Sequence, residues 1–470
     1  KLKGDDVFFL TGTDEHGQKV EKAAKKSNIN PKNFVDNLSK NFENLVVDLG
    51  CDINDFIRTT EDRHINAAQC LWNKLLENDQ IYLSNYEGWY SIRDEAFYSE
   101  NELIKVNGKF VTQNGSPVEW VKEESYFFKL SNWQDKLIEY YTKNPESILP
   151  NARYNEVLSF IKNGLKDLSI SRTTFNWGVS VPNNSKHVMY VWIDALCNYL
   201  TAIEYPNIDK ESFKKYWPAV HIVGKDILRF HAIYWPAFLM AADIKPPKKI
   251  FAHGWWTNEG KKISKSLGNV IDPYKIIKEY GLDQIRYFLF REVPFGNDGD
   301  FSKNAIATRV NADLSNNYGN LIQRILTFIV KNCNSEVNPF SNLTEDDHNL
   351  MNIFKDKSEK YFDSMENFQI DKSIKSIMEL LTSTNVYVDN QAPWVLKNND
   401  TTRMKDVLFI ISNIIIKSSV MLYPIIPESS KRALSFFNLD IKKINFDNFN
   451  SLIDNKIVIN SPTPLFPRID

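Results

Sequence analysis

Lysines bracket a short polar segment in the second half of the chain. The segment is Lys262-Ile263-Ser264-Lys265-Ser266, preceded by Lys261, and it lies in a predicted loop just past a predicted strand. Ammonium groups on such a loop can neutralise the charge that develops as pyrophosphate leaves a nucleoside triphosphate. The sequence has no Walker-type P-loop, so phosphate binding of another kind is predicted. A solvated lysine-rich loop is the alternative.

Aromatic, aliphatic and imidazole side chains recur at helical spacing in two neighbouring stretches. They are Trp192, Ala195 and Tyr199 in the first stretch and Ile227 and His231 in the second. Residues four apart share a helix face, and the second pair follows the polar turn Gly224-Lys225-Asp226, so a carboxylate can meet the apolar groups at the mouth of a sheet. An apolar slot for a ligand is one interpretation. Packing of the two aromatic rings in a core explains the same pattern.

Two charged residues stand near predicted strands. Asp14 lies in the polar segment that follows the apolar run Val7 to Leu10, and Arg172 ends the segment Ser169-Ile170-Ser171-Arg172. Polar loops at strand ends commonly hold ligands. A structural ion pair is an equally good interpretation of either residue.

A third group could contact RNA. Asn320 and Arg324 are four residues apart on a predicted helix, and Trp394 begins another helix after Gln391-Ala392-Pro393. An aromatic ring that stacks on a base, beside amide and guanidinium groups that read its edge, is typical of proteins that bind unpaired RNA. A core tryptophan with two solvated polar residues is the alternative.

A parallel sheet must position these groups. Short apolar runs before polar or glycine-containing loops predict buried strands at residues 7–10, 190–193, 219–223 and 249–252. Residues 82–166 have turn signals and many aromatics, which predicts an inserted module of hairpins with one or two helices. Beyond Asn304 the pattern is helical throughout.

Two early helices are also predicted. The first follows Pro31 and is expected to bury the apolar face Phe34, Leu38, Phe42, Leu45 and Leu49. The second begins near Thr59 and has Ile65, Ala68, Leu71 and Leu75 on one face.

The composition is that of an ordinary globular protein. The chain has 470 residues, of which 43% are apolar and 25% charged, and its net charge is -2. This length predicts several structural units, and the near-neutral charge restricts any RNA contact to local patches. The four cysteines form no CxxC pair, and no apolar run could span a bilayer. We expect a soluble intracellular protein.

The lysine segment resembles the KMSKS signature of class I aminoacyl-tRNA synthetases, with Ile263 in place of methionine. The chain as a whole resembles the methionyl-tRNA synthetase family. The matching motifs occur in the family's order at residues 9–18 (FLTGTDEHGQ), 190–196 (YVWIDAL), 224–227 (GKDI), 253–255 (HGW) and 464–468 (PLFPR).

The resemblance implies an α/β fold, with a split Rossmann-type parallel-sheet catalytic domain, an inserted connective domain and an all-α anticodon-binding helical bundle. The implied segments are residues 1–82 and 169–258 for the catalytic domain, 83–168 for the insertion, 259–304 for the KMSKS loop and stem-contact linker, and 305–470 for the helical domain. The implied reaction activates L-methionine with ATP and transfers it to the 3′ terminal ribose of tRNA(Met), both elongator and initiator.

The resemblance also implies roles for single residues. Trp192, Ala195, Tyr199, Ile227 and His231 would form the pocket for the methionine thioether, and Asp226 would lie near the amino acid and the adenosine. Asp14 would hold the methionine ammonium or the activation geometry, Arg172 would assist activation, and Gly224, His253, Gly254 and Lys265 would approach ATP. Lys262 and Lys265 would act in catalysis, and Asn320, Arg324 and Trp394 would read the CAU anticodon.

The chain departs from the family pattern in two places. Many relatives have four-cysteine zinc knuckles in the insertion, whereas here Ser91 and Asp94 stand at the first CxxC spacing and the stretch around Ser116 lacks cysteine. We therefore expect no structural zinc and no other protein-bound metal, and Mg²⁺ only with ATP. The family's His-Ile-Gly-His motif, which binds ATP at a helix N-terminus, is expected about twenty residues before Lys1, so residues 1–470 alone should lack full activity.

A monomer is the default because no appended dimerisation domain follows the family core. A cytoplasmic enzyme is expected, with an organelle as the alternative. Two rivals stay open: a synthetase for another apolar amino acid, and a noncatalytic tRNA-binding protein. The short insertion leaves no room for a large editing domain, which favours methionine over valine, leucine and isoleucine.

Overall fold

The computed structural model describes residues 1–94, 96–106, 108–263, 268–441, 449 and 452–469, with the backbone alone at residues 96 and 97. The chain divides into two compact units. One is Asp6–Ala252, and the other consists of Lys1–Asp5 and His253–Asp470.

The first unit alternates strands and helices at both ends of its sequence. Its elements are β1 (Leu10–Thr13), α1 (Gln18–Lys26), α2 (Pro31–Asp48), β2 (Asp55–Arg58), α3 (Asp62–Glu77), β3 (Ile81–Ser91), β4 (Ala96–Tyr98), β5 (Leu103–Val106), β6 (Lys109–Thr112), β7 (Glu119–Phe128), α4 (Gln134–Lys143), β8 (Ile148–Leu149), α5 (Asn151–Lys162), β9 (Leu168–Ser169), β10 (Ser171–Arg172), β11 (Val188–Met189), α6 (Val191–Thr201), α7 (Glu211–Tyr216), β12 (Val220–Gly224), α8 (Trp235–Ala241) and β13 (Lys249–His253).

Parallel pairing confirms the predicted α/β class. β1 pairs with β2 from Leu10↔Asp55 to Thr13↔Arg58, and β13 pairs with β8 at Ile250↔Ile148. β12 lies on the other side of β13. Strands β3 to β7 and β9 pair antiparallel. β3 and β7 form a long ribbon, flanked by β4 and β9, and β5 pairs with β6. The hairpins and two helices expected between residues 82 and 166 are therefore present.

Three expectations about local structure are wrong. The first strand is Leu10–Thr13 rather than residues 7–10, and Val7 and Phe9 are exposed. Residues 190–193 were expected to form a strand, but Tyr190 is the extended residue before α6 and the strand is β11. An apolar run cannot distinguish a buried strand from a helix that is apolar on every side. Helix α2 has the predicted bounds, but it buries Val35 and Ser39, while Leu38 and Phe42 are exposed. The buried face is thus the neighbouring one, not the most apolar.

The core of the first unit forms where α3, α6 and α8 meet the strands. Helix α3 contributes Ala68, Leu71, Trp72 and Leu75, all at most 1% exposed. Burial of these side chains supplies about 1.5–3 kcal/mol for each large apolar group. This packing fixes α6, which carries the predicted slot, against α3.

The second unit is mainly helical. Its elements are β14 (Trp256–Asn258), β15 (Lys261–Lys262), α9 (Pro273–Tyr280), α10 (Leu282–Arg291), β16 (Gly299–Phe301), α11 (Lys303–Arg309), α12 (Asn320–Asn332), β17 (Glu336–Val337), α13 (Glu345–Glu366), α14 (Ile370–Gln391), α15 (Pro393–Asn399), α16 (Thr401–Leu422), α17 (Pro427–Ser435) and β18 (Ile457–Val458).

Helix α16 is the centre of the helical domain. Its residues from Val407 to Leu422 are buried on every face, the polar Asn413 and Lys417 included, so other elements surround this helix. Among the residues described beyond Asn304, the expectation that strands stop holds apart from the two-residue pair of β17 with β18. The domain is thus a bundle packed around one buried helix.

Candidate active site

The loop between β1 and α1 presents Asp14 and buries the residues after it. Asp14 is exposed, whereas Glu15 and His16 are buried. Glu15 accepts hydrogen bonds from Arg58 Nε at 2.7 Å and Nη2 at 3.0 Å. Its backbone N–H donates to Thr59 Oγ1 at 2.9 Å. On one side of Asp14, the loop is therefore fixed to β2 and to the residues that follow this strand.

A buried carboxylate anchors the other side. Asp194 on α6 accepts from His16 Nδ1 at 2.6 Å and from His64 Nε2 at 2.7 Å, and all three side chains are buried. Burial alone would raise the pKa of Asp194, but the charge and hydrogen bond of His16 and the hydrogen bond of His64 hold that pKa down at about 2. The aspartate is therefore ionised and each imidazole donates to it.

The predicted slot residues on α6 and around residue 230 do come together. The Trp192 ring stacks on Phe230 with centroids 3.8 Å apart and planes 8° apart, and it meets His231 edge-on at 6.2 Å. Trp192 Nε1 is buried and has no hydrogen-bond partner among the described residues. Ala195 is 7% exposed, so a small side chain stands beside the aromatic rings.

His231 and Tyr199 form a hydrogen-bonded pair within this cluster. His231 Nδ1 lies 2.9 Å from the Ile227 carbonyl oxygen, and Nε2 lies 2.8 Å from the Tyr199 hydroxyl. Burial lowers the pKa of His231 to about 4, so the ring is neutral near pH 7. Because a carbonyl can only accept, Nδ1 carries the proton and Nε2 accepts from the tyrosine. The orientation of the Tyr199 hydroxyl is thereby set.

A second histidine supports the tyrosine ring. His221 stacks on Tyr199 with centroids 4.1 Å apart, and its Nε2 accepts from Trp235 Nε1 at 3.2 Å. Burial lowers the pKa of His221 well below its ordinary value. The wall of the slot is therefore built from uncharged imidazole and aromatic rings.

Polar residues expected at the strand ends are found there. β12 ends at Gly224, and the turn Lys225–Ile227 that follows exposes Asp226. β13 ends at His253. A Cβ on Gly254 would overlap the Asn297 carbonyl, so a residue with a side chain could not occupy this turn.

Arg172 has a buried position. It is 2% exposed, its Nη1 donates to Ser169 Oγ at 2.9 Å, and its Nε lies 3.8 Å from Glu123 Oε1. The guanidinium carbon lies 4.6 Å from the centroid of the Tyr190 ring. The structural ion pair that the sequence left open is present.

The lysine loop begins at β15, an edge strand of a three-stranded sheet in the second unit. β15 pairs antiparallel with β14, so the exposed Lys262 lies opposite Thr257. Asn258 Nδ2 donates to the Asn269 carbonyl at 2.8 Å, and Asn269 Nδ2 donates to the Lys262 carbonyl at 3.0 Å. These bonds join the two ends of the loop. Ile263 is described, whereas Ser264, Lys265 and Ser266 lie outside the described residues.

The residues predicted to contact RNA cluster on the helical domain. Asn320 and Arg324 are on α12, and Arg324 donates to Asp389 Oδ1 at 3.0 Å and to Asn385 Oδ1 at 3.2 Å. The guanidinium carbon lies 5.8 Å from the Trp394 ring centroid, and Trp394 is 41% exposed. The indole therefore offers an open face beside a cation.

A buried ion pair holds the corner that carries Trp394. Arg403 donates to both carboxylate oxygens of Asp347, at 2.6 and 2.7 Å, and to Gln391 Oε1 at 2.7 Å. The chain then turns through Ala392, whose φ is 42°, into α15. Sequence reasoning missed Asp347 and Arg403 because they are far apart in the chain.

The missed residues near the slot gave only partial signals. His16 lies in a motif but received no role, and Asp194 is an acid inside the apolar stretch 191–200. A charge in such a stretch needs a buried partner. Phe230 gave no signal beyond its place next to His231.

The inserted module has a hydrogen-bonded cluster around Ser91, Asp94 and Ser116. Ser116 Oγ donates to Asp94 Oδ1 at 2.8 Å, the Asp94 N–H donates to Ser91 Oγ at 3.2 Å, and the Ser116 N–H donates to Thr112 Oγ1 at 3.1 Å. Ser91 and Ser116 are fully buried. In the part of the chain that is described, no three histidine, cysteine or acidic side chains are placed to bind a metal ion.

Among the helices described, none combines the length and the apolar character needed to cross a membrane.

Two family models together match most of the chain. The model described as tRNA synthetases class I (M) matches residues 1–326, and the anticodon binding domain of methionyl tRNA ligase matches residues 338–470. The methionine–tRNA ligase of Rickettsia felis is 54% identical over 92% of this chain and 85% of its own length. That of Rickettsia conorii is 50% identical over 100% of this chain and 93% of its own length.

Solved structures agree. The crystal structure of Mycobacterium tuberculosis methionyl-tRNA synthetase bound by methionyl-adenylate is 42% identical and superposes with a TM-score of 0.96, covering 99% of this chain and 93% of that one. The apo form of the same protein gives a TM-score of 0.88 at 36% identity, over 98% of each chain.

Proposed function

The chain belongs to the methionyl-tRNA synthetase family of class I aminoacyl-tRNA synthetases, and we propose how its residues carry out methionine–tRNA ligation. In the first step the methionine carboxylate attacks the α-phosphorus of ATP, and pyrophosphate leaves. In the second a ribose hydroxyl at the 3′ end of tRNA(Met) attacks the adenylate carbonyl, and AMP leaves.

The observation that carries the amino acid assignment is the Tyr199–His231 pair beside the Trp192 and Phe230 stack. A thioether gains roughly 0.3–1.5 kcal/mol from contact with aromatic rings. The tyrosine hydroxyl gives its proton to His231 Nε2, and this bond fixes the wall of the slot. The buried Trp192 Nε1, which has no partner among the described residues, is the donor at which sulfur could act as a weak acceptor. Leucine and valine have no sulfur, so they would leave this donor unpaired. Ala195 and Ile227 complete the proposed slot.

Charged groups at the mouth of the slot are proposed to hold the rest of methionine and ATP. The exposed carboxylate of Asp14 suits the methionine ammonium, and Asp226 suits the junction of amino acid and adenosine. Gly224, His253 and Gly254 would let backbone approach ATP closely. Arg172 is buried, so it would assist activation indirectly, by stabilising the strands around it.

The lysine loop is proposed to act on the triphosphate. Its base is fixed by Asn258 and Asn269, while Lys262 is exposed, so the loop can supply ammonium groups at the end of a rigid stem. Lys262 and Lys265 would stabilise the charge on the departing pyrophosphate. ATP would be used as its Mg²⁺ complex, because Mg²⁺ binds substrate phosphates with few protein ligands.

The helical domain is proposed to read the CAU anticodon shared by elongator and initiator tRNA(Met). The open indole face of Trp394 would stack on a base, and Arg324 and Asn320 would contact base edges. We further propose that the insertion is stable without zinc, since hydrogen bonds join Ser91, Asp94 and Ser116. The enzyme would work as a monomer in the cytoplasm, where ATP and tRNA are at hand.

Amino acid–dependent exchange of pyrophosphate into ATP tests the assignment in the full-length protein. Methionine should stimulate exchange, whereas leucine and valine should not. Tyr199→Phe should lower the ratio of methionine to leucine kcat/KM. Tyr141→Phe is the matched control, because it also removes one buried hydroxyl, which donates to the Ala232 carbonyl, but lies outside the slot. Exchange driven by leucine, or tRNA binding without any exchange, would refute the proposed function.

A further inference from the structure

The exposed carboxylate proposed to bind the methionine ammonium and the helix proposed to bind its side chain are distant in sequence. Asp14 follows β1, whereas Trp192 and Ala195 are on α6. Activation needs both ends of methionine to be held at once, and a misplacement of about 1 Å can cost on the order of 100-fold in rate. Something must therefore fix the loop relative to the helix.

Asp194 makes that connection directly. It lies on α6 between Trp192 and Ala195, is 0% exposed, and uses one carboxylate oxygen for each of two histidines. His16 comes from the loop, two residues after Asp14. His64 comes from α3, which reaches the loop only indirectly, because Thr59 and Thr60 just before this helix bond Glu15. The two bonds to Asp194 are similar in length and burial, but only the His16 bond comes from the loop itself.

The loop has a second contact in the same region. The Trp177 ring lies edge-on to His16 with centroids 5.4 Å apart, and its Nε1 donates to the Glu15 carbonyl at 2.7 Å. The Gly17 N–H donates to the Trp177 carbonyl at 3.0 Å. His16 is thus held in one orientation, with its Nδ1 directed at Asp194.

We propose that His16 and Asp194 are positioning residues for amino acid activation. Their charge-assisted hydrogen bond holds the Asp14 carboxylate at a fixed distance from the slot on α6, so that the ammonium and the side chain of one methionine are bound together. This inference rests on the proposed function, because it takes methionine as the ligand of Asp14 and α6. Neither residue touches the substrate.

The histidine pair supplies its own control. His16→Leu removes the bond from the loop, and His64→Leu removes the equally buried bond from α3. Both variants should lower the melting temperature. Only His16→Leu should raise the KM for methionine in pyrophosphate exchange, by about 10- to 100-fold, with the KM for ATP changed less than about threefold. An equal change in methionine KM for both variants would mean that the network is only structural.

Amide variants of His16 give a second test, which remains valid if the leucine variants do not fold. His16 bonds through Nδ1, the position that an asparagine Nδ2 occupies, whereas a glutamine amide reaches one carbon further. His16→Asn should restore a methionine KM within about threefold of wild type, and His16→Gln should not. Equal behaviour of these two variants would overturn the proposal.

Coupling to Asp14 separates this inference from the proposed function. If His16 acts through Asp14, then His16→Leu should add little to the loss in kcat/KM caused by Asp14→Asn, because residues that act as a unit are not additive. If the kcat/KM losses of the two single variants multiply in the double variant, the positioning role is wrong. Absence of methionine-dependent exchange in the wild-type protein would instead refute the proposed function itself.

Discussion

Acid should destabilise the amino acid slot through His231. The imidazole is buried, donates from Nδ1 to the Ile227 carbonyl and accepts at Nε2 from Tyr199. Burial lowers its pKa from the ordinary 6.5 to about 4. A protonated ring would carry charge into an apolar cluster and could no longer accept from the tyrosine. The unfolded chain therefore takes up the proton first as the pH falls.

The sign and the size of the effect follow from these two pKa values. Above pH 6.5 the ring is neutral in both states, and His231 adds no pH dependence. As the pH falls from about 6.5 to about 4, the unfolded state binds a proton that the folded state does not, so the free energy of unfolding decreases. The full loss is roughly 3 kcal/mol, of which about 2.5 kcal/mol should be lost by pH 4.5.

The comparison variant is His231→Gln, whose amide oxygen can accept from Tyr199 but does not titrate. Urea unfolding of both proteins between pH 7.5 and 4.5 should show the wild type losing the extra stability. His221 meets His231 edge-on at 6.2 Å and also has a lowered pKa, but it is present in both proteins, so its contribution largely cancels. Equal losses of stability in the two proteins, or an imidazole of His231 that titrates near 6.5 by NMR, would show that His231 is not the group responsible.

Three further outcomes are expected in the full-length protein. Lys265→Ala should lower the rate of adenylate formation by at least about 100-fold while leaving methionine binding, measured by calorimetry, nearly unchanged; an unchanged rate would remove the role of the lysine loop. Trp394→Ala should raise the KM for tRNA(Met) in charging by about 10-fold or more and leave pyrophosphate exchange intact, whereas Val395→Ala, exposed on the same helix, should change neither. Arg403→Met should lower the free energy of unfolding of the helical domain by roughly 3–5 kcal/mol, because it leaves the buried Asp347 carboxylate without its guanidinium; a melting temperature equal to that of wild type would contradict this account.

Local spacing is the part of the site that the sequence could predict. Ala195 and Tyr199, and likewise Asn320 and Arg324, were expected on one helix each because residues four apart share a face, and both pairs are so placed. The error at residues 190–193 arose where this local signal is lost. Burial on every side removes the contrast between apolar and polar positions from which a period is read.

Pairing between distant segments is the part that could not be predicted. His16 and Asp194 are 178 residues apart, and Asp347 and Arg403 are 56 residues apart. No local pattern states which buried acid meets which base, because the choice depends on how the helices pack. Composition indicates only that a buried charge must have some partner.

Backbone irregularity next to both proposed sites also left no signal in the spacing of apolar residues. Residues Phe230–Tyr234 and Val310–Gly319 are π-helical, with a wider turn in which each N–H bonds five residues back. The buried residues are spaced alike in both segments: Val310, Leu314 and Tyr318 before α12, and Leu321, Ile325 and Ile329 within it, are each four apart. The spacing of apolar residues therefore does not distinguish the π segment from the helix that follows it.

Around residue 230 each carbonyl in the wider turn pairs with the backbone N–H five residues ahead instead of four. The Ile227 carbonyl accepts from the His231 ring. The tautomer of His231, and with it the direction of the Tyr199 hydroxyl, depends on this turn. The proposed selectivity for methionine would thus depend on a backbone feature that amphipathic periodicity alone does not reveal.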